Sequence, residues 1–238
     1  MAAVDLLGTA LDVYRDRFAI AVSFQKEGLV LLDMAWRLAG SVQAFTLDTG
    51  RLPVETLQMI DVVRDRYGIA VESVRPDPDE VARMVAERGP DLFRDSVELR
   101  HLCCEVRKVR PLGRKLQQLD AWATGLRREH SSNRAAIPKV AQEAGRIKIS
   151  PLADWTAAQV DAYTEQHNVP VHPLYAHGFL SIGCEPCTRA LLPGESGRAG
   201  RWWWEQDSRK ECGIHFAPDG SARRAFAGGQ GILTDTDA

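Results

Sequence analysis

Five cysteines are the residues of this chain whose type and spacing point most directly to chemistry, and they fall into three groups. Cys103 and Cys104 are adjacent, Cys184 and Cys187 form a C-x-x-C, and Cys212 stands alone near the end. They are too few and too unevenly placed for the disulfide framework of a secreted domain. In a reducing compartment four clustered thiols suit Zn²⁺ or an iron–sulfur cluster. Structural zinc usually draws on two spaced knuckles, whereas side chains on consecutive helical residues diverge by ~100°. The widely spaced iron corners of a [4Fe–4S] cube accept such a pair more readily. Buried thiols packing as small hydrophobes are the plainer alternative. The odd Cys212, followed by Gly213 in an irregular segment, suits a reactive thiol on a moving tail.

The rest of the composition narrows the field. The chain has 238 residues, 45% of them hydrophobic and 26% charged, as a soluble globular protein has. A net charge of −2 and a pI near 6.3 give no global attraction to nucleic acid or an acidic membrane surface. An anion site must therefore come from local Arg and Lys. No apolar run reaches the ~20 residues of a membrane span. The segment Met1 to Arg17 mixes acidic, basic and apolar residues without the pattern of a signal or transit peptide, so a cytoplasmic location is expected.

The elements that must position these residues alternate in type. Phe18 to Val22 is wholly apolar, the mark of a buried parallel strand, and 42–47, 69–74, 120–124 and 146–152 give four more. Helical spacing predicts helices over 4–17, 29–38, 53–67, 79–87, 100–119 and 156–167, with Pro53 opening one and Pro111 bending the one that carries the cysteine pair. This alternation predicts an α/β fold with a mainly parallel sheet and a site at the strands' carboxyl ends. From about Val169 periodicity fades and Pro, Gly, His and Trp become frequent. The expected organisation is one structural domain, with a core over 1–168 and an extension over 169–238 carrying the C-x-x-C, an Arg-rich loop and the Cys212 tail.

Five ordered segments resemble one family. Thr46 to Thr56 (TLDTGRLPVET), Cys103 to Pro111 (CCEVRKVRP), Trp122 to Ser131 (WATGLRREHS), Gly197 to Glu205 (GRAGRWWWE) and Lys210 to His215 (KECGIH) are similar to segments of adenylyl sulfate and phosphoadenylyl sulfate reductases. The resemblance runs from about residue 18 to 216. It implies an adenine nucleotide α-hydrolase-like (PP-loop) fold, with a parallel sheet flanked by helices. It also implies a [4Fe–4S] cluster on Cys103, Cys104, Cys184 and Cys187, and Cys212 as nucleophile. Members with the full quartet typically act on adenylyl sulfate, which makes this the expected substrate. The 3′-phosphorylated nucleotide is the alternative. One segment departs from the family pattern. The first phosphate loop reads Ser23-Phe24-Gln25-Lys26-Glu27-Gly28, without the usual small-residue turn. Its missing Gly pair argues against the close backbone approach that ATP-cleaving relatives need.

The substrate so implied is a phosphate–sulfate anhydride with about two negative charges, and an approaching thiolate adds a third. At ~4 Å and an effective dielectric near 20, each like-charge pair costs ~4 kcal/mol, so fixed cations are required. The resemblance assigns Lys108, Arg134, Arg198 and Arg201 to that task, His215 to the neighbourhood of the thiol, and Ser23 and Leu47 to the nucleotide. Taken singly, Lys108 reads as a solvated helix charge, Arg198 and Arg201 as surface-loop charges, His215 as structural, and Arg127-Arg128 as a basic turn. No thiol follows Cys212 and no second C-x-x-C domain is present, so the reductant must arrive in trans, as thioredoxin or glutaredoxin. The expected activity is adenylyl sulfate reduction to sulfite and AMP through an S-sulfocysteine, in assimilatory sulfate reduction and cysteine biosynthesis. Two competing functions are an ATP-dependent adenylating enzyme of the same fold and a four-cysteine zinc or nucleotide-binding module. A homo-oligomer is compatible with the sequence.

Overall fold

The computed structural model describes residues 1–130, 134–143, 145–195 and 197–205, and the backbone of two short strands near the end. The main sheet contains β1 (Phe18–Ala21), β2 (Ala44–Leu47), β3 (Val71–Val74), β4 (Ala121–Thr124), β5 (Val140–Glu143) and β6 (Arg146–Ile149) in the order β3-β2-β1-β4-β6-β5. Only the β5–β6 pairing is antiparallel. The helices among the described residues are α1 (Ala3–Tyr14), α2 (Lys26–Ala39), α3 (Val54–Tyr67), α4 (Pro78–Arg88), α5 (Val97–Cys104), α6 (Arg110–Leu116) and α7 (Ala157–Gln166).

Both faces of the central strands are covered, as their unbroken apolar sequence requires. Alternate residues of β1 point opposite ways. Phe18 and Ile20 pack with Leu7 of α1, Val30 and Met34 of α2 and Val160 of α7. Ala19 packs with Phe45, Trp122 and the α6 leucines Leu112 and Leu116 on the other face. Inside this core Asp33 of α2 is fully buried and fully used. It accepts from Tyr67 Oη (3.1 Å), Tyr163 Oη (2.8 Å) and Arg37 Nε (2.6 Å), tying α2 to α3 and α7.

Three details differ from the sequence expectation. The antiparallel strand β5 was not anticipated, because Val140-Ala141-Gln142-Glu143 has no apolar run and lies half-exposed at the sheet edge. The helix expected over 100–119 starts earlier, where Ser96 caps it by accepting from Leu99 N (3.1 Å). It is then broken by a wide π turn, Glu105–Val109, before α6. Pro111 has no N–H to offer the carbonyl four residues back, and the turn ahead of it opens instead, Arg110 N donating to Glu105 O.

Residues after 168 add no strand to the main sheet among those described. Val169 packs into the core beside α2 and α3. Cys184, Cys187 and Trp202 pack with Met84, Phe93, Cys103 and Val106. The backbone of β7 (His215–Phe216) pairs antiparallel with β8 (Ala222–Arg223). Between β1 and β4 the chain changes its direction of travel across the sheet. A crevice therefore opens at their carboxyl ends, the usual ligand position in such folds.

Candidate active site

That crevice is a cleft of about 510 Å³ lined by the ends of β1 and β4, the start of α2 and parts of the extension. The Ser23–Gln25 loop forms its floor. Phe24 takes a left-handed conformation (φ 55°) and is fully buried, so a large apolar residue makes the turn that small residues make elsewhere. Gln25 ends the loop without capping α2 through its side chain. Its side chain instead donates to Ser23 Oγ (3.3 Å) and accepts from Ile182 N (3.0 Å), joining the loop to the segment that leads into Cys184. Across the cleft, the loop after β4 comes against α2 at Gly125. A Cβ there would lie 2.8 Å from the Glu27 carbonyl carbon and the Gly28 nitrogen, so the approach requires glycine.

A charge network occupies this junction. Glu27 Oε1 accepts from Arg127 Nε (2.9 Å) and lies 2.8 Å from His130 Nε2. Burial pushes the Glu27 carboxyl up, but the His130 hydrogen bond and charge, its own amide and Arg127 outweigh it and bring it to about 2. Arg127 is itself buried, donating further to Glu129 (2.6 Å) and Trp155 O (3.1 Å). Arg134 Nη1 lies 3.3 Å from His130 Nδ1. At the other wall Lys26 pairs with Asp161 at 2.6 Å. Arg198 Nη1 donates to Ser181 Oγ (3.2 Å).

The four cysteines expected to act as ligands come together. Cys103 and Cys104 from α5, Cys187 at the end of the turn Glu185–Cys187 and Cys184 just before it are buried and line one internal cavity with Arg107 and Lys108. Thr49 Oγ1 lies 3.2 Å from Cys184 Sγ, and Arg107 Nη1 donates to Thr49 O (2.8 Å). Burial pushes the Cys103 thiol up, with Arg107 pulling the other way and Cys184 adding to the rise. Among the described residues, Arg107 Nε and Trp202 Nε1 are buried donors without an acceptor at the rim of this cavity. No three Cys, His, Asp or Glu side chains among the described residues close on one point as a single ion needs. Four buried thiols around a common space are a donor set that could hold a metal centre.

The extension binds the two cavities together. Arg201 is buried against the cysteines rather than in the cleft between β1 and β4. Its Nη1 lies 3.5 Å from Ser181 Oγ and its Nε donates to Cys187 O (3.4 Å). A Cβ on Gly183 would overlap its guanidinium. Arg100, also buried, stacks on the Trp202 ring (4.4 Å) and donates Nη2 to Glu205 Oε2 (3.0 Å).

The sequence-predicted residues are therefore distributed over two adjoining spaces. Ser23, Arg134 and Arg198 line the cleft, and Lys108 and Arg201 line the cysteine cavity. Leu47 lines neither and packs beside Phe45 at the end of β2. Cys212 lies outside the described residues, and His215 opens β7. Sequence reasoning missed Gly125, Glu27 and His130. Two of the three stand in the quoted segment Trp122 to Ser131, but nothing in it reveals that a glutamate from α2 lies opposite.

Comparison with known proteins agrees with this geometry. The phosphoadenosine phosphosulfate reductase domain matches residues 17–190. An adenosine 5′-phosphosulfate reductase of Burkholderia cepacia is 49% identical over 215 residues, covering 90% of this chain and 86% of that protein. One from Allochromatium vinosum is 47% identical over 222 residues, covering 91% and 86%. A crystal structure of phosphoadenylyl-sulfate reductase from Candida auris superposes with a TM-score of 0.67 at 27% identity, covering 79% of this chain and 91% of that one. An FMN adenylyltransferase of Candida glabrata, 15% identical with a TM-score of 0.55 and covering 82% and 68%, shares the fold alone. The parallel sheet with its cleft at the β1/β4 switch is thus of the PP-loop type, and the chain belongs to the phosphoadenosine phosphosulfate reductase family.

Proposed function

We propose that this chain reduces adenylyl sulfate to sulfite and AMP, as a step of assimilatory sulfate reduction leading to cysteine. The observation that carries the proposal is the meeting of Arg198 and Arg201 on Ser181, one at the nucleotide cleft and the other at the cysteine cavity. A nucleotide seated in the cleft would present its anionic end near that junction, where both guanidinium groups and Lys108 offset its charge.

In the proposed reaction the Cys212 thiolate attacks the sulfate sulfur. The bond from that sulfur to the bridging oxygen breaks, and AMP leaves with the electron pair. The cations of the site lower the barrier by stabilising charge on the leaving phosphate and favouring the thiolate. A dithiol protein, thioredoxin in the first instance and glutaredoxin in the second, then attacks the Cys212 sulfur and expels sulfite. Its second thiol resolves the mixed disulfide, so the dithiol is oxidised and sulfur falls from the sulfate to the sulfite level. Cys103, Cys104, Cys184 and Cys187 are the donors assigned to a [4Fe–4S] cluster, which when bound supplies electrostatic and structural support, because the two thiols already furnish both electrons. In this reading residues 1–168 bind the nucleotide and 169–238 supply the C-x-x-C, the arginines and the nucleophile.

Cys212→Ser tests the proposal. The variant should bind adenylyl sulfate yet release no sulfite with thioredoxin present, and the wild-type chain incubated with substrate alone should carry a sulfonate on Cys212 by mass spectrometry. Undiminished turnover by the variant would refute it. Running the 3′-phosphorylated nucleotide in parallel decides which substrate is preferred.

A further inference from the structure

Resting on the reading that Arg134 faces the substrate's anionic end, we infer that Glu27 and His130 are positioning residues that aim the Arg134 guanidinium into the cleft. The hydrogen-bond directions fix the relay. Arg127 N lies 3.3 Å from His130 Nδ1, and a backbone N–H can only donate, so Nδ1 is the acceptor and the ring proton sits on Nε2. Nε2 then donates to Glu27 Oε1 at 2.8 Å. Glu27 is the right partner, since the His130 hydrogen bond, with Arg127 Nε on the same oxygen, holds its carboxyl low. With the tautomer set, the Nδ1 lone pair also faces Arg134 Nη1 at 3.3 Å, and a guanidinium too can only donate. Arg134 is thereby oriented by the ring.

The geometry depends on two features outside the relay. Gly125 lets the loop after β4 reach the first turn of α2, without which His130 and Glu27 would not meet. Arg127, held by Glu27, Glu129 and Trp155 O, fixes the backbone amide that selects the tautomer. Glu27 thus serves the active site without itself binding the anionic substrate, which its charge would repel.

The test is a set of kinetic constants for adenylyl sulfate in the wild-type chain and in His130→Ala, His130→Gln, Arg134→Ala and the double variant His130→Ala/Arg134→Ala. The loss of one hydrogen bond to a charged group predicts a KM about tenfold higher for His130→Ala, with kcat changed much less. His130→Gln should recover most of that loss, because its amide donates to Glu27 and accepts from Arg134. The double variant should be no worse than Arg134→Ala, as expected of two residues acting through one contact. If His130→Ala does not fold, His130→Asn, too short to reach both partners, carries the same comparison. An unchanged KM in a folded variant, or losses that multiply in the double variant, overturns the relay while leaving the activity intact. A wild-type chain that releases no sulfite overturns both.

Discussion

Gly125 and Glu27 touch backbone to backbone, with no room for a methyl group between them. The contact welds the loop after β4 to the first turn of α2 at the edge of the cleft proposed to bind the nucleotide. Gly125→Ala must push two main chains apart, at an expected cost of about 1–3 kcal/mol for overpacking. Nucleotide affinity should fall with it. Gly28→Ala is a useful contrast, since its Cβ would meet the Val22 side chain at 3.3 Å and backbone only at 3.5 Å. Thermal melting and AMP titration of the two variants should show the first far more damaged than the second.

The depressed Glu27 carboxyl makes an acid-sensitive contribution to stability. Its pKa moves from the ordinary 4.5 to about 2 in the folded chain. A carboxyl lowered on folding stabilises fully above its unfolded value and loses that stabilisation as pH falls through the folded one. The term is on the order of 3 kcal/mol above pH 4.5 and fades towards pH 2. Urea titrations at stepped pH should show Glu27→Gln less stable than wild type near neutrality, the two curves converging in acid. Parallel curves would mean the carboxylate is not held as described.

Arg100 and Glu205 are a buried pair, with side chains 2% and 6% exposed. Removing one partner leaves a charge without compensation, an expected loss of about 3–5 kcal/mol for Glu205→Ala. Replacing both by apolar residues of similar volume should be far milder. A double-mutant cycle read by chemical denaturation checks this.

Asp33 gives a further stability test, away from the cysteines. Asp33→Ala strands the hydroxyls of Tyr67 and Tyr163 and the guanidinium of Arg37. The expected loss is at least ~2 kcal/mol, and Tyr163→Phe, which leaves the other two contacts, should cost about 1 kcal/mol. Both are read from urea midpoints.

The cysteine quartet and Cys212 should separate spectroscopically. Serine at Cys103, Cys104, Cys184 or Cys187 is expected to bleach the brown visible absorption of an anaerobic preparation, whereas Cys212→Ser should leave it unchanged. A colourless wild-type protein carrying stoichiometric zinc would favour the single-ion reading instead.

Much of this was legible in sequence for a physical reason. Strands buried on both faces must be predominantly apolar, so Phe18 to Ala21 and Ala44 to Leu47 announce themselves. The edge strand β5 has no such obligation, and its polar residues gave no signal. Cysteines are few enough that their grouping could be read directly. The placement of charges could not. Arg201 N bonds back to Arg198 O in a turn, and the two side chains line adjoining cavities, a division that their three-residue spacing does not reveal. Glu27 gave no signal of its own, because its partners stand 100 residues or more further along the chain.

The wide turn at Glu105–Val109 has a consequence for how this chain tolerates change in length. One surplus residue in a helix rotates everything beyond it by ~100° about the axis. Upstream, Arg100, Cys103 and Cys104 present themselves to one neighbour; downstream, Leu112 and Leu116 face another across the sheet. Deleting a single residue here would tidy the hydrogen bonding and yet misalign either the sulfurs or the leucines. The segment behaves as a phase shifter, and its irregularity is what allows one rod to serve two differently oriented surfaces.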